Sequence, residues 1–276
     1  MKKSLSLVIW VFMLCSTNIL GQITISPTNI FIEENTRFGT YLVLNGSNEP
    51  QEVSIEFIFA YTATDEEGSR SIVYDDMEQQ EEHSAHTWVQ SFPRNFTLTP
   101  GQRQVVRLRV APPNNLNDGT YWARIKTRST AQTPPVELQN DNSVSARVGI
   151  TIEQITGLYY KKGTVTTDIN VLGTEALLTD DGFVEVRTKL ERGGNSPFLG
   201  SITVNVKDAN NNVVKSSFRS TTIYFDGTHS QEVDIQGLSA GTYTAEVIFE
   251  TQRSDVSSEN IVKMEPVSTS TQFTIR

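Results

Sequence analysis

The sequence predicts an all-β protein made of two immunoglobulin-like β-sandwich domains in tandem, set at an angle to each other. Three observations lead to this fold class. Apolar and polar residues alternate with a period of two through many short segments. Clusters of Gly, Pro, Asn and Asp separate these segments, as turns do in sandwiches. A Leu-x-x-Gly-Thr-Tyr motif occurs late in each half, at 116–121 and again at 238–243.

The N-terminal residues predict export. Lys2 and Lys3 precede the apolar run Leu5–Leu14, and Gly21 supplies a small residue after it. A short cationic start, a brief apolar core and a small residue at the cleavage position are typical of a secretory signal peptide. The run is shorter than the ~20 apolar residues that a membrane-spanning helix needs. We therefore expect residues 1–21 to be a signal peptide and the protein to be periplasmic, without membrane insertion.

Composition excludes several classes of function. The only cysteine, Cys15, lies in the expected signal peptide, so no disulfide or thiol chemistry is expected afterwards. The formal net charge is −9, and it becomes −11 once the two cations Lys2 and Lys3 are removed. An acidic chain repels phosphate, which makes nucleic acid an unsuitable partner. No cofactor is expected.

Strands are expected along the whole chain, and no segment shows a helical period. The first strand, Ile23–Ile32, is interrupted at Ser26-Pro-Thr-Asn29, which indicates a bulge or a switch between sheets. The further candidates in the first half are Tyr41–Leu44, Val53–Tyr61, Phe96–Leu98, Val106–Val110, Tyr121–Thr127 and Val144–Ile152. The candidates in the second half are Val165–Val171, Phe183–Leu190, Ile202–Val206, Val213–Ser217, Thr222–Phe225, Val233–Ile235, Tyr243–Phe249 and Thr271–Ile275.

The repeated motif indicates a tyrosine corner in each half. In immunoglobulin-like sandwiches the phenol hydroxyl of such a tyrosine bonds back to the backbone across the bend between two strands. Tyr121 and Tyr243 occupy that position here. The apolar run that ends at Tyr160 is followed by Lys-Lys-Gly-Thr, which indicates a boundary. The expected organisation is a first sandwich at 22–160, a linker at 161–164 and a second sandwich at 165–276.

No motif predicts catalysis or a metal site. His83 and His86 lie beside two glutamates, but structural zinc needs four ligands at fixed spacing, so a solvated loop is favoured. Asp208-Ala-Asn-Asn-Asn212 begins like a calcium loop, yet Val213 and Arg219 stand where the required glycine and glutamate belong. An Asn-rich hairpin turn is the better interpretation. No catalytic residue and no metal ligand are therefore assigned.

Residues 65–82 form an acidic segment with eight carboxylates against the single cation Arg70. Runs of acids in a long hairpin arm are usually solvated. Two other interpretations are contact with a basic partner and contact with the neighbouring face of Arg124, Lys126 and Arg128.

The segment Val144–Ile152 is the main candidate for binding. Its apolar side chains alternate with Ser, Arg, Gly and Thr without a break, and they are Val144, Ala146, Val148, Ile150 and Ile152. The last strand of any sandwich domain turns one face to its own core, which explains this pattern without a partner. The second interpretation is an edge strand that lends its apolar face to another protein by β-augmentation.

Two segments of the first half resemble the PapD-like periplasmic chaperones of pilus assembly. They are FPRNFTLTPGQRQVVRL at 92–108 and PPNNLNDGTYWARI at 112–125, and Leu158-Tyr-Tyr-Lys161 resembles the family's interdomain junction. The resemblance implies two sandwiches in the periplasm. It also implies that the last strand of the first domain completes an unfinished subunit, with the five alternating residues of Val144–Ile152 inserted.

The carboxylate clamp of that family is not matched. The family holds the terminal carboxylate of its subunit with an Arg on the first strand and a Lys on the last, where this sequence has Asn29 and Ile155. Arg147 and Lys161 are the nearest cations of the last strand, and both are out of register. Asn29, Arg147 and Lys161 are therefore the candidate polar anchors.

These inferences predict a non-enzymatic, periplasmic, chaperone-like protein. It would bind β-rich client subunits or pilus and envelope subunits by strand addition through Val144–Ile152. The alternative is a structural subunit of a cell-envelope or secretion complex, with the two sandwiches as permanent scaffolding. Both hypotheses require a protein partner.

Overall fold

The computed structural model describes residues 23–132 and 150–276, and these residues form two β-sandwiches with few helical turns. The fold class expected from the sequence is confirmed. The expected signal peptide at 1–21 lies outside the described residues. Below, "first half" denotes 23–162 and "second half" denotes 167–276.

The first half holds eleven strands among its described residues. They are β1 (Ile23–Ser26), β2 (Asn29–Glu33), β3 (Phe38–Asn45), β4 (Gln51–Ile58), β5 (Tyr61–Thr64), β6 (Arg70–Val73), β7 (Val89–Phe92), β8 (Asn95–Leu98), β9 (Arg103–Val110), β10 (Gly119–Ala131) and β11 (Thr151–Lys162). One sheet has the order β1-β3-β9-β7, and the facing sheet has the order β2-β11-β10-β4-β8. Strands β5 and β6 form a separate hairpin.

The predicted interruption of the first strand is a switch between sheets. β1 pairs with β3 in one sheet, and three residues later β2 pairs with β11 in the other. Pro27 lies between them and has no N–H to donate to a ladder, so pairing ends there.

The second half holds seven strands. They are β12 (Thr167–Leu178), β13 (Phe183–Gly194), β14 (Phe198–Lys207), β15 (Val213–Ile223), β16 (Gly227–Asp234), β17 (Gly241–Glu250) and β18 (Val267–Ile275). They form two sheets, β12-β13-β16 and β15-β14-β17-β18. The turn between β14 and β15 is the expected Asn-rich hairpin, because the Asp208 carboxylate accepts hydrogen bonds from the N–H groups of Asn210 and Asn212.

Several sequence-based expectations about elements are wrong. The strand expected at Val53–Tyr61 is divided between β4 and β5. Val213–Ser217 and the start of Thr222–Phe225 belong to one strand, β15, because alternation continues through the inward-facing Arg219 and Thr221; Tyr224 and Phe225 follow its end. A short helix, α1 (Met77–His83), lies in the acidic segment; the Asp76 side chain caps it by accepting a hydrogen bond from Gln79 N. Two 3-10 turns, His86–Trp88 and Ser258–Asn260, complete the helical content of the described residues. Lys161 and Lys162, expected in the linker, are the last residues of β11.

Both tyrosine corners are present. The Tyr121 hydroxyl donates to the Asn117 carbonyl oxygen at 3.1 Å, and the Tyr243 hydroxyl donates to the Ser239 carbonyl oxygen at 2.9 Å. Each bond spans four residues and closes the bend before β10 or β17.

We expect the Tyr121→Phe and Tyr243→Phe variants to lower the free energy of unfolding by different amounts. One hydrogen bond contributes about 0.5–1.5 kcal/mol, and the larger loss belongs to the more buried group. Tyr121 is buried, whereas the bond of Tyr243 is exposed to solvent. Urea unfolding of both variants tests this order. Equal, negligible losses would show that the corners do not stabilise the sandwiches.

A third apolar cluster joins the two halves. Its buried members are Phe59, Tyr61, Trp122, Tyr159, Leu199 and Tyr224. The Trp122 ring lies 4.9 Å from the Tyr224 ring, between centroids, and 5.7 Å from the Phe59 ring. Hydrogen bonds surround this cluster: the Thr120 and Ser196 hydroxyls are 2.7 Å apart, and Asn195 Nδ2 donates to the Asp118 carbonyl oxygen at 3.1 Å. The two halves therefore pack as one unit through residues of both.

Candidate functional site

The last strand of the first half, β11, is paired along only part of one side. Its other side pairs with β10 over the whole length of β11, from Thr151 to Lys162. On the β2 side, the ladder covers only Gly157–Lys161, opposite Asn29–Glu33. Among the described strands, none pairs with residues 151–156 on that side. We call this stretch the open edge.

The backbone groups at the open edge can be identified from the neighbouring ladder. Gly157 N donates to Thr28 O at 3.0 Å, and Glu34 N donates to Lys161 O at 2.9 Å. The odd-numbered residues of β11 therefore turn their N–H and C=O groups toward β2. Since this direction alternates along a strand, Thr151, Glu153 and Ile155 turn theirs toward the open edge. These N–H and C=O groups are placed to form backbone hydrogen bonds with a further strand.

The open edge exists because of the switch in the first strand. N-terminal to Asn29, the chain belongs to the other sheet, where Ile23–Ser26 pairs with β3. Gln154 of β11 forms a side-chain hydrogen bond with that segment, since its Nε2 donates to the Ile23 carbonyl oxygen at 2.8 Å. The ladder partner of β11 is thus lost at the position where the sheet switch occurs.

The side chains of β11 are more exposed near the open edge than near the core. Leu158 and Tyr160 belong to the core of the first half, and alternation places Ile152 on the same side of the strand. Ile152 is only partly buried, and the side chain of Ile150, just before the strand, is 58% exposed. Ile155 lies on the opposite face and is 44% exposed. Apolar side chains thus flank unpaired backbone groups.

The predicted client-binding residues are only partly placed. Val144, Ala146, Val148 and the candidate anchor Arg147 lie outside the described residues. Ile152 lies near the start of β11 and Ile150 directly precedes it. The strand itself runs from Thr151 to Lys162, so the expected limits Val144–Ile152 need correction at their C-terminal end. The signal missed in the sequence is the stretch Glu153–Thr156, where Ile152 is followed by polar residues at the even-numbered positions before the apolar run resumes at Leu158.

The two described anchors have partners of their own. Asn29 is the ladder partner of Gly157, and its Nδ2 lies 3.5 Å from Asp255 Oδ2. Lys161 Nζ lies 3.2 Å from Glu33 Oε1 and 5.5 Å from the centre of the Phe31 ring. The Lys161 side chain is only 9% exposed. Within the described residues, Lys161 therefore acts as a structural ion pair.

Sequence reasoning did not anticipate the role of Arg124, which lies opposite Gly157 in the β10–β11 ladder. Its Nε donates to the Ala60 carbonyl oxygen at 3.1 Å, and one terminal nitrogen donates to the Tyr224 hydroxyl at 2.8 Å. Burial raises the pKa of Tyr224 well above its ordinary value, so its hydroxyl stays neutral and accepts this bond. Gly157 leaves room for both Asn29 and Arg124, since a Cβ there would lie 2.6 Å from Asn29 Oδ1 and 3.4 Å from Arg124 Nη1.

The cations of the basic face of β10 have partners outside the acidic segment, so no ion pair with residues 65–82 of the kind that one interpretation suggested is formed among the described residues. Lys126 pairs with Glu56 at 2.7 Å, and Arg128 donates to Glu153 Oε1 at 2.8 Å. The tip of the β5–β6 hairpin instead packs on the second half, where a Cβ on Gly68 would lie 2.6 Å from Ser230 N.

His83 and His86, which were considered as metal ligands, contact other side chains instead. The His83 ring stacks on Trp122 with a centroid distance of 5.0 Å, and His86 Nδ1 lies 2.6 Å from Ser84 Oγ. Burial lowers the pKa of both imidazoles. Among the described residues, no group of three or more His, Cys, Asp or Glu side chains is placed to hold a metal ion. In the same residues, every helix is too short or too polar to cross a membrane.

Solved structures of chaperones align with most of this chain. The YadV chaperone is 10% identical, and the alignment covers 92% of this chain and 100% of that one, with a TM-score of 0.47. For the E. coli chaperone DraB the identity is 13%, the coverage 92% and 97%, and the TM-score 0.42. For the Salmonella enterica SafA pilin in complex with the SafB chaperone, the identity is 12% and the TM-score is 0.43. That alignment covers 92% of this chain and 98% of the other.

No protein-family model matches the chain, and no curated protein matches it in sequence.

Proposed function

We propose that this chain is a periplasmic, non-enzymatic, chaperone-like protein that binds β-rich client subunits by adding its last first-half strand to theirs. The observation that carries the proposal is the open edge of β11, where the backbone groups of Thr151, Glu153 and Ile155 meet no described strand. The resemblance of 92–108 and 112–125 to pilus chaperones favours pilus or envelope subunits as clients.

Strand addition would pair the free backbone groups of the open edge and would also cover the exposed apolar side chains beside it. An unpaired strand border offers N–H and C=O groups that a client strand can satisfy, and main-chain hydrogen bonds then supply affinity. Exposed Ile150 and partly buried Ile152 would be covered by the client. Complete burial of an exposed side chain of this size contributes about 1.5–3 kcal/mol, which is an upper limit for each of these two residues. Further apolar residues expected at 144–148 would extend this contact.

A structural subunit of an envelope complex is the second candidate. The observation that favours it is the buried aromatic cluster between the halves, because a fixed pair of sandwiches suits permanent scaffolding. The two candidates differ in the lifetime of their complexes. Under native purification, a chaperone exchanges its partner against added competitor, whereas a structural subunit keeps a stoichiometric partner.

Replacing Ile155 with proline is expected to prevent strand addition and leave the sandwich folded. The Ile155 N–H points to the open edge, so its loss breaks no described ladder bond, and proline is tolerated on such an edge. The missing donor and the pyrrolidine ring oppose an incoming strand. We expect client co-purification from the periplasm to fall roughly tenfold, equal to the loss of about one hydrogen bond.

Ile155→Ala is the matched control, because it removes the same exposed side chain and keeps the N–H. The two variants should melt within a few degrees of each other, while only the proline variant loses its clients. Equal client capture by both would reject strand addition at this edge. A proline variant that unfolds would show instead that β11 is paired on both sides here.

A further inference from the structure

The outer face of the β1-β3-β9-β7 sheet has an unusual composition for this acidic chain. Its four strands contain no Asp or Glu. Alternation along β9 turns three arginines outward, and exposed apolar side chains lie beside them. We call this surface the arginine face; it is formed by Phe38, Phe92, Arg103, Val105, Arg107 and Arg109.

The charges of the arginine face are uncompensated. None of its three guanidinium groups forms an ion pair or a side-chain hydrogen bond with any described residue. Phe92 is the ladder neighbour of Arg107, and Phe38 is the neighbour of Arg109. Phe38 is 63% exposed and Phe92 is 59% exposed. Such a surface fits an acidic partner that also offers apolar side chains.

The chain itself carries a surface of this complementary kind. From β6 to the end of α1, four exposed carboxylates lie among exposed apolar side chains. No Lys or Arg in the described parts of the chain forms an ion pair with them. We call this surface the acidic face; it is formed by Ile72, Asp75, Met77, Glu78, Glu81 and Glu82.

The spacing of the charges also matches. Arg107 and Arg109 are two residues apart on one strand, which separates them by about 6.6 Å. Glu78 and Glu82 are one helical turn apart, which separates them by about 6 Å on the same side of α1. A pair of guanidinium groups can therefore meet a pair of carboxylates in register.

The two faces cannot meet within one molecule. The arginine face is the outer surface of one sheet of the first sandwich. The helix α1 lies on the outer surface of the other sheet, where His83 stacks on Trp122. The sandwich itself separates them.

We propose that the arginine face docks the acidic face of a second copy of this chain, in a head-to-tail contact. Contacts between two different surfaces of identical chains are heterologous, so each molecule keeps one free face of each kind and association can continue. The contact depends on charge and weakens as salt rises. It does not use the open edge of β11, so client binding and self-association are separate activities.

Sedimentation equilibrium of the purified protein tests this contact. The associated fraction of the wild type should rise with protein concentration. Its association constant should fall when the salt is raised from about 0.05 to 0.5 M. The Arg107→Glu/Arg109→Glu variant should associate roughly tenfold or more weakly, and so should Glu78→Lys/Glu82→Lys. An equimolar mixture of these two variants should recover association, because each then meets the opposite charge.

Two controls and one competing outcome complete the test. Glu259→Lys/Glu265→Lys makes the same charge change on an exposed part of the second half and should associate at least as strongly as the wild type. Ile155→Pro should self-associate as the wild type does. A wild type that stays monomeric at low salt overturns the proposal, as does a mixture that fails to recover association. Binding of the monomer to anionic phospholipid vesicles, lost in Arg107→Glu/Arg109→Glu, would assign the face to a membrane instead.

Discussion

Replacing Trp122 with alanine is expected to lower the free energy of unfolding by about 3–5 kcal/mol, the usual cost of deleting a fully buried large aromatic side chain. Trp122 is 2% exposed, and its ring contacts the rings of Phe59, His83, Tyr224 and Phe225. Because these partners come from both halves, the substitution also weakens the connection between them. We expect urea unfolding to change from one transition to two.

Trp88→Ala is the control for this effect. Trp88 packs only within the first half, with ring centroids 5.2 Å from Tyr121 and 6.5 Å from Tyr160. Its loss should destabilise the first half and leave the contact between the halves intact. We therefore expect the two halves still to unfold together, in one transition. A Trp122→Ala variant that unfolds in one transition, with a loss below about 1 kcal/mol, would contradict the view that this cluster couples the halves.

The fold class could be predicted because sandwich strands follow alternation, which depends only on neighbouring residues. The tyrosine corners could be predicted for the same reason, since each hydrogen bond spans four residues. The helix α1 could not, because none of its residues is buried and it therefore has no apolar period. Its formation depends on the Asp76 cap and on the contact of His83 with Trp122, which is distant in sequence.

The candidate site could be predicted only in part. Alternation identified an apolar face that leads to Ile150 and Ile152, but it could not show where β2 stops pairing with β11. That limit is set by the switch between sheets at Pro27, which depends on pairing with strands that are distant in sequence. The role of Arg124 was also hidden, because its partner Tyr224 lies 100 residues away.

Stability is expected to fall by about 3 kcal/mol between pH 6.5 and pH 4 because of His229 alone. Burial, together with the positive charges of the nearby Arg219 and Arg70, lowers the pKa of His229 to about 4. Its Nδ1 atom is buried without a hydrogen-bond partner in the described residues. The unfolded chain takes up this proton near pH 6.5, whereas the folded chain resists it. Stability is therefore complete above pH 6.5, decreases through this window, and changes no further below pH 4.

Urea unfolding across this pH range, compared between the wild type and His229→Gln, isolates this proton from the carboxylates that titrate nearby. The slope of stability against pH should be smaller in His229→Gln. Arg70→Met provides a second comparison, because Arg70 lies on the β5–β6 hairpin and reaches His229 from the first half. Removing that charge should raise the pKa of His229 and reduce the slope by a smaller amount. Identical slopes in all three proteins would mean that His229 is already protonated, or solvated, in the folded state. An intermediate slope for Arg70→Met would show that the hairpin of one half sets the protonation of a buried group in the other.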